Sequence, residues 1–108
     1  MAPGRPYSEP VDFSVLGPLR VEGPRGAIEI RGAKERLLLA RLVAAGGHLV
    51  PSSVLVATLW GDEPPASAAK SLQTFVLRVR NALEPDRHGS PTLLITEGPG
   101  YRLALDPT

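Results

Sequence analysis

Residues 66–84 read ASAAKSLQTFVLRVRNALE, and this stretch decides the fold because it carries the clearest helical periodicity in the chain. At about 100° per residue, its apolar side chains fall on one arc of about 140°. We therefore predict an amphipathic helix over 66–84 that buries this arc in the core. The residues of the arc are Ala68, Ala69, Leu72, Phe75, Val76, Val79, Ala82 and Leu83.

The opposite arc of this helix carries three cations and no carboxylate before Glu84. Solvated helix faces usually mix acids and bases, because opposite charges four residues apart stabilise a helix. Long cations beside short donors and acceptors suit phosphates and base edges instead. On this pattern alone, a nucleic-acid surface and an ordinary solvated face stay equally open. The arc consists of Ser67, Lys70, Ser71, Gln73, Thr74, Leu77, Arg78, Arg80 and Asn81.

The segments before this helix change from strand to helix periodicity. Apolar and polar residues alternate over 11–15, 19–22 and 27–31, which predicts a three-stranded antiparallel meander after a flexible arm at 1–10. A leucine-rich helix follows over 34–45 and is expected to be the most buried one.

A second, short helix is predicted to open at 50–53, with Pro51 tolerated in its first turn, and to close at Trp60. After the long helix, segments 93–96 and 101–105 flank a Gly-Pro-Gly turn and predict a terminal β-hairpin.

This order predicts one α+β domain over 11–108 that contains a helix-turn-helix. In that arrangement the second helix enters the major groove of DNA and the hairpin projects beside it as a wing. Arg102 on the hairpin is then placed to reach a backbone phosphate, or else is simply solvated.

Composition excludes several other classes of protein. The 108 residues hold 12 Lys+Arg and 11 Asp+Glu, a net charge of +1, which argues against a polybasic coat protein. Without cysteine there is no disulfide scaffold, thiolate metal site or thiol catalysis. No apolar run reaches the ~18 residues of a membrane span, and 1–10 lacks a secretory signal, so we expect a cytoplasmic protein.

Single residues that resemble catalytic or metal-binding groups have simpler interpretations. His48 and His88 fall in loops without a carboxylate cluster, so we predict neither a metal nor a cofactor. Ser52 and Ser53 fit a helix start better than a nucleophile. We expect Trp60 to anchor the helices on the sheet.

Four motifs, in this order and spacing, carry a resemblance to a known family. The chain resembles the N-terminal DNA-binding domain of the Streptomyces antibiotic regulatory protein (SARP) family, a winged helix of the OmpR/PhoB type, over residues 11–105. The motifs are VLGPL at 15–19, KERLLL at 34–39, LWGDEPPASA at 59–68 and TEGPGYRL at 96–103.

The resemblance implies an activator that binds direct repeats in promoters of antibiotic and other secondary-metabolite genes. It also implies recruitment of RNA polymerase through a sigma subunit, with tandem copies arranged head to tail on the DNA and monomers possible off it. Family members normally continue into an activation domain, so by this resemblance we expect the given sequence to be either an excised domain or an unusually small regulator. The residues that we expect to contact DNA are Lys70, Ser71, Gln73, Thr74, Arg78, Arg80, Asn81 and Arg102.

Four positions depart from the family pattern. Pro51 stands where a serine N-cap is common, Leu77 replaces a small polar residue and Asn81 replaces an arginine. Glu97 occupies a position where many wings carry an arginine, so we assign it no DNA contact.

Two other functions remain as alternatives to DNA binding. Leu77, the acidic pair Asp62-Glu63 and Glu97 favour a winged-helix module that binds protein instead of DNA. An enzyme is the least favoured interpretation, because the sequence has no triad pattern, metal cluster or cofactor loop.

Overall fold

A computed structural model describes residues 12–14, 20–23, 26–85 and 92–104 of the chain. The predicted arm at 1–10, His88 and the outer ends of three predicted strands lie outside these residues. The elements are β1 (Asp12–Ser14), β2 (Arg20–Gly23), β3 (Gly26–Ala27), α1 (Ala33–Ala44), β4 (Val50–Pro51), α2 (Ser52–Trp60), α3 (Ala68–Leu83), β5 (Leu94–Glu97) and β6 (Gly100–Leu103).

The predicted N-terminal meander is confirmed, but its third strand is shorter than expected. β1, β2 and β3 pair in that order, all antiparallel. β3 ends at Ala27, whereas the alternation predicted a strand over 27–31. The chain leaves the sheet because Ile30 enters the core and Gly32, with φ of +88°, redirects the backbone into α1.

α1 supplies the centre of the core through Leu38, Leu39 and Leu42, which are fully buried. Leu37 was one of the leucines from which this helix was predicted to be the most buried one, but its side chain is exposed. The helix ends with Ala45 as its C-cap, before Gly46 and Gly47, both of which have positive φ. The glycine stop predicted from the sequence is therefore confirmed.

The start of α2 differs from the prediction, which placed 50–53 together in the first turn. Val50 and Pro51 instead form β4, an edge strand paired with β6, and the helix begins at Ser52. Pro51 is the N-cap, with extended backbone angles of −61° and 149°. A proline suits this edge because it has no N–H to donate to a further strand.

The predicted hairpin is confirmed as β5 and β6, which join β4 in a sheet of order β4-β6-β5. Gly98 occupies the turn with φ of +53°, a conformation that glycine adopts without steric cost. This sheet packs on the helices through Leu94, Tyr101 and Leu103, all of which are buried.

α3 spans Ala68–Leu83, slightly less than the predicted 66–84. Of the eight residues of its inner arc, five are buried, Phe75 and Ala82 are half-buried, and one faces solvent. Ala69 is exposed, because it lies at the border of the arc on the first turn, where α3 has just emerged from an exposed connector. Trp60 is half-buried against Phe75, with ring centroids 6.0 Å apart. It packs against α3 and the edge of the core, and its expected contact with the sheet stays a prediction.

Candidate nucleic-acid interface

The outer face of α3 is the candidate interface, and its side chains are where the periodicity placed them. Ser71 and Arg80 are half-buried at its borders. The remaining predicted residues of this helix face solvent: Lys70, Gln73, Thr74, Arg78 and Asn81.

The outer face of α3 is exposed to solvent because the opposite side of the helix packs in the core. Leu72, Val76 and Val79 are almost completely buried in the core, where α3 contacts α1 and α2. The connector at 61–67 between α2 and α3 is exposed throughout, so it does not cover the start of α3. The described residues therefore leave most of the outer face of this helix open to a DNA duplex.

Among the described residues, the side chains of Lys70 and Thr74 make no hydrogen bond or ion pair with another helix or strand. Thr74 Oγ1 donates to the Lys70 carbonyl oxygen at 3.3 Å, a local bond within the helix. Among the residues that the structure describes, the Lys70 ammonium has no hydrogen-bond or ion-pair partner. Its charge and its three donors are thus available to an anion.

Arg78 shares its guanidinium with a carboxylate from another helix. Its Nη1 donates to Glu35 Oε2 on α1 at 3.0 Å. The Arg78 side chain is 62% exposed, whereas the Glu35 side chain is only 8% exposed. The arginine therefore faces solvent above a carboxylate that lies within the fold.

Arg80 lies against the hairpin, although the resemblance placed it toward DNA. Its Nε donates to the Leu94 carbonyl oxygen at 2.9 Å, and its Nη2 donates to Thr96 Oγ1 at 2.7 Å. The guanidinium carbon also lies 5.9 Å from the centroid of the Tyr101 ring, within range of a cation–π contact. This side chain therefore connects α3 to both strands of the hairpin.

Arg102, the predicted residue on the hairpin, pairs with Glu97 across the same two strands. Both side chains are partly exposed. The ion pair partly neutralises the cation that was expected to reach a phosphate. Glu97 therefore competes with DNA phosphate for Arg102, the one predicted DNA-contacting residue outside α3.

The structure thus brings one carboxylate to Arg78, on the acid-free face of α3, and another to Arg102, on the hairpin. Glu97 was recognised in the sequence as an unusual hairpin residue, but Glu35 was not singled out. A signal for Glu35 does exist, since it lies three residues after the N-cap Gly32, the position from which an acid reaches back over the first turn of a helix.

Other kinds of site find no support in the described parts of the chain. They contain no group of three or more His, Asp or Glu side chains close enough to hold a metal ion. They also contain no helix that combines the length and the apolar character of a membrane span.

Residues 29–103 match the family model described as "Transcriptional regulatory protein, C terminal", a family of OmpR/PhoB-type DNA-binding domains. The chain belongs to this family. The match covers α1 to β6, the helices and the hairpin that build the interface, and begins after β3.

Curated relatives confirm the resemblance to the SARP family. The chain is 33% identical over 95 residues to transcriptional regulatory protein MoaR1 of Mycobacterium tuberculosis, covering 88% of this chain and 30% of MoaR1. It is 34% identical over 103 residues to regulatory protein DnrI of Streptomyces peucetius, covering 91% of this chain and 38% of DnrI. The chain therefore spans about a third of the length of these relatives.

Solved structures confirm the winged-helix fold. The structure of Mycobacterium tuberculosis EmbR in complex with a low-affinity phosphopeptide superposes with a TM-score of 0.77 at 30% identity, over 89% of this chain and 25% of that one. The DNA-binding domain of response regulator AdeR, in complex with an intercistronic region, superposes with a TM-score of 0.64 at 15% identity, over 89% and 95%.

Proposed function

We propose that residues 11–108 are the sequence-specific, double-stranded-DNA-binding domain of a transcription activator. The observation that carries the proposal is the exposed outer face of α3, on which Lys70, Gln73, Thr74 and Arg78 project from a buried apolar arc. Membership of a family of regulator DNA-binding domains and a fold shared with a DNA-bound structure support it.

In the proposed complex, α3 lies in the major groove and the β5–β6 hairpin lies over the adjacent minor groove. Arg78 can present a fork of donors to the O6 and N7 of guanine, while Gln73 and Asn81 can pair with adenine. Lys70 suits a backbone phosphate, because its ammonium is a compact point charge. Ser71 and Thr74 can donate to either, and Arg102 approaches phosphate from the hairpin.

Similarity to SARP regulators supports a more specific role for the whole protein. Its targets are direct repeats in promoters of antibiotic and other secondary-metabolite genes in the cytoplasm. Tandem copies bind head to tail, about one helical turn apart, because that spacing presents the same face of the groove twice. Bound copies recruit RNA polymerase through a sigma subunit, and the activity is regulatory, not enzymatic.

The test is selection of genomic DNA fragments with the purified chain, followed by footprinting of the enriched fragments. We expect enrichment of repeats spaced by about 10–11 base pairs, with protection on one face of the duplex. Affinity should fall with salt by about 0.9 log units per log unit for each phosphate neutralised. Failure to enrich any sequence, or affinity independent of salt, contradicts the proposal.

A second candidate function, a protein-binding module, is favoured by one observation on the same face. Leu77 is 49% exposed, and an exposed leucine amid polar side chains suits a protein surface as well as a thymine methyl. The acidic pair Asp62 and Glu63 is also exposed, on the connector between α2 and α3. Capture of a defined protein partner, together with no mobility shift on genomic fragments, would favour this function over DNA binding.

A further inference from the structure

Glu35 is held in one place by its surroundings. It lies in the first turn of α1, at the edge of a cleft of about 460 Å³ between residues 29–32 and α3. Its carboxylate packs over Gly32, so closely that a Cβ built on Gly32 would lie 2.7 Å from Glu35 Cδ. A carboxylate also interacts favourably with the N-terminus of a helix. The position of Glu35 is therefore restricted by α1 and by the backbone at Gly32, to which the hydrogen bond from Arg78 adds a contact from α3.

Arg78 receives an orientation from this carboxylate. A guanidinium has five N–H donors in one plane, and the bond from Nη1 to Glu35 Oε2 occupies one of them. Since the Arg78 side chain is mostly exposed while Glu35 is mostly buried, the pair directs the remaining donors outward. A long arginine side chain would otherwise sample many rotamers, and ordering it on binding costs free energy.

The same pair changes the kind of DNA contact that Arg78 favours. Attraction to phosphate depends on net charge and acts at long range, so a carboxylate at 3.0 Å weakens it. Recognition of a base edge depends instead on the direction of the donors, which the carboxylate preserves. Lys70, which has no such partner among the described residues, differs from Arg78 in this respect.

We propose that Glu35 is a positioning residue for sequence recognition, holding Arg78 as a reader of one base pair and reducing its attraction to phosphate. The proposal rests on the proposed function, because it requires α3 to lie in the major groove. It assigns a role in specificity to a residue that is buried in α1 and does not itself touch DNA.

The test is selection from a randomised duplex library with the wild-type chain, Glu35→Gln, Arg78→Ala and the double variant, with sequencing of the bound DNA. Glu35→Gln keeps the volume of the side chain but removes the charge. We expect it to reduce the preference at one or two adjacent base pairs by about fivefold or more, in the range of one bidentate contact. Arg78→Ala should lose preference at the same base pairs, and Glu35→Gln should add nothing to it.

Two further variants separate this role from a general effect of charge or folding. Glu29→Gln removes an acid from the same cleft, but its partner is Arg31 at 3.8 Å, so it should leave every preference unchanged. Glu35→Asp keeps the acid in the first turn of α1 but shortens its reach. It should therefore lose the same preference as Glu35→Gln while retaining the thermal midpoint of the wild type.

The outcomes are distinguishable. Unchanged preferences in both Glu35 variants overturn the inference alone, leaving DNA binding intact. An equal loss of preference at all base pairs also overturns it, because a residue that only supports the fold acts on the whole site. A wild-type chain that enriches no sequence overturns the proposed function, and this inference with it.

Discussion

Arg78, Arg80 and Arg102 are all arginines in the predicted interface, but each shares its guanidinium with a different kind of partner. Arg78 donates to a buried carboxylate, Arg80 to the hairpin and Arg102 to a partly exposed carboxylate. An ion pair between exposed groups contributes little to stability, because water and salt screen it. Of the three contacts, the one between Arg102 and Glu97 should therefore exchange most readily for a phosphate.

The first prediction concerns Glu97 as a competitor for Arg102. Glu97→Gln should raise affinity for a selected duplex by about 1.4-fold to fivefold, because DNA binding no longer has to break an exposed ion pair worth about 0.2–1 kcal/mol. The salt dependence should steepen by about 0.9 log units per log unit if Arg102 gains one phosphate. Fluorescence anisotropy of a labelled duplex over a salt series measures both effects.

Asp62→Asn is the matched control for this change of net charge, because Asp62 is exposed on the connector and lies outside the hairpin. If both variants raise affinity equally, the effect is long-range charge, and release of Arg102 is not its cause.

At the scale of elements, the winged helix is assembled from contacts between the ends of its helices and strands. Lys34, in the first turn of α1, donates to the carbonyl oxygen of Leu59 at the end of α2 at 3.0 Å. Its ammonium also lies 5.5 Å from the centroid of the Trp60 ring. The carbonyls at the end of a helix lack partners within that helix, so a cation there satisfies one of them.

The second prediction is that Lys34→Met destabilises the fold by about 1–2 kcal/mol, since it removes a charge-assisted hydrogen bond and a cation–π contact but keeps the apolar stem. Urea denaturation followed by circular dichroism measures the free energy of unfolding. Lys70→Met, on the exposed face of α3, should change it by less than about 0.5 kcal/mol. Equal losses in both variants would contradict a specific link between α1 and α2.

The third prediction concerns the junction between β4 and β6 at Gly100. A Cβ there would overlap the Val50 carbonyl oxygen and lie 2.7 Å from Pro51 Cα, so the two strands would have to separate. Gly100→Ala should therefore lower the free energy of unfolding by about 1–3 kcal/mol, as overpacking does. Because Ser52 N donates to the Pro99 carbonyl oxygen, the start of α2 should also loosen.

Gly98→Asn is the control for Gly100→Ala, measured by urea denaturation and by amide exchange over the first turn of α2. A side chain at Gly98 would meet nothing within 4 Å, and asparagine tolerates its positive φ. A loss as large in Gly98→Asn would assign the effect to the turn and not to the contact between strands.

At the scale of the whole molecule, the relative placement of α3 and the hairpin determines whether two grooves can be contacted at once. The side chain of Arg80 spans this junction, with hydrogen bonds to Leu94 and Thr96 and its guanidinium against Tyr101. Glu84, at the end of α3, accepts hydrogen bonds from the backbone N–H groups of Thr92 and Leu93. The hairpin is thus linked to α3 at two places.

The fourth prediction follows from that junction. Arg80→Lys keeps the charge but cannot make the two fork contacts, so the hairpin should lose its fixed position relative to α3. In footprints of a selected site, we expect minor-groove protection by the hairpin to weaken while methylation protection of guanines in the major groove persists. Loss of major-groove protection alone would instead identify Arg80 as a direct DNA contact.

The sequence by itself determined α3 and its two faces, because helical periodicity is a local property that a stretch of 19 residues records completely. Its bounds differ by two residues at one end and one at the other; Ala69 is the one exposed member of the predicted buried arc, and Phe75 and Ala82 are half-buried. The hairpin and the meander were also predicted, since Gly-Pro turns separate their alternating segments, but the third strand of the meander ends at Ala27 and not at residue 31.

The tertiary structure alone decided which charges meet. β4 exists only because β6 passes beside Val50 and Pro51, half a chain away in sequence. Glu35 lies 43 residues before Arg78, and Arg80 lies 14 residues before Leu94, so no periodicity within one helix could relate them. Ion pairs and hydrogen bonds act over a few ångströms of space without regard to sequence separation. Helical periodicity therefore predicts which residues lie on the face, whereas folding determines which of their charges are paired.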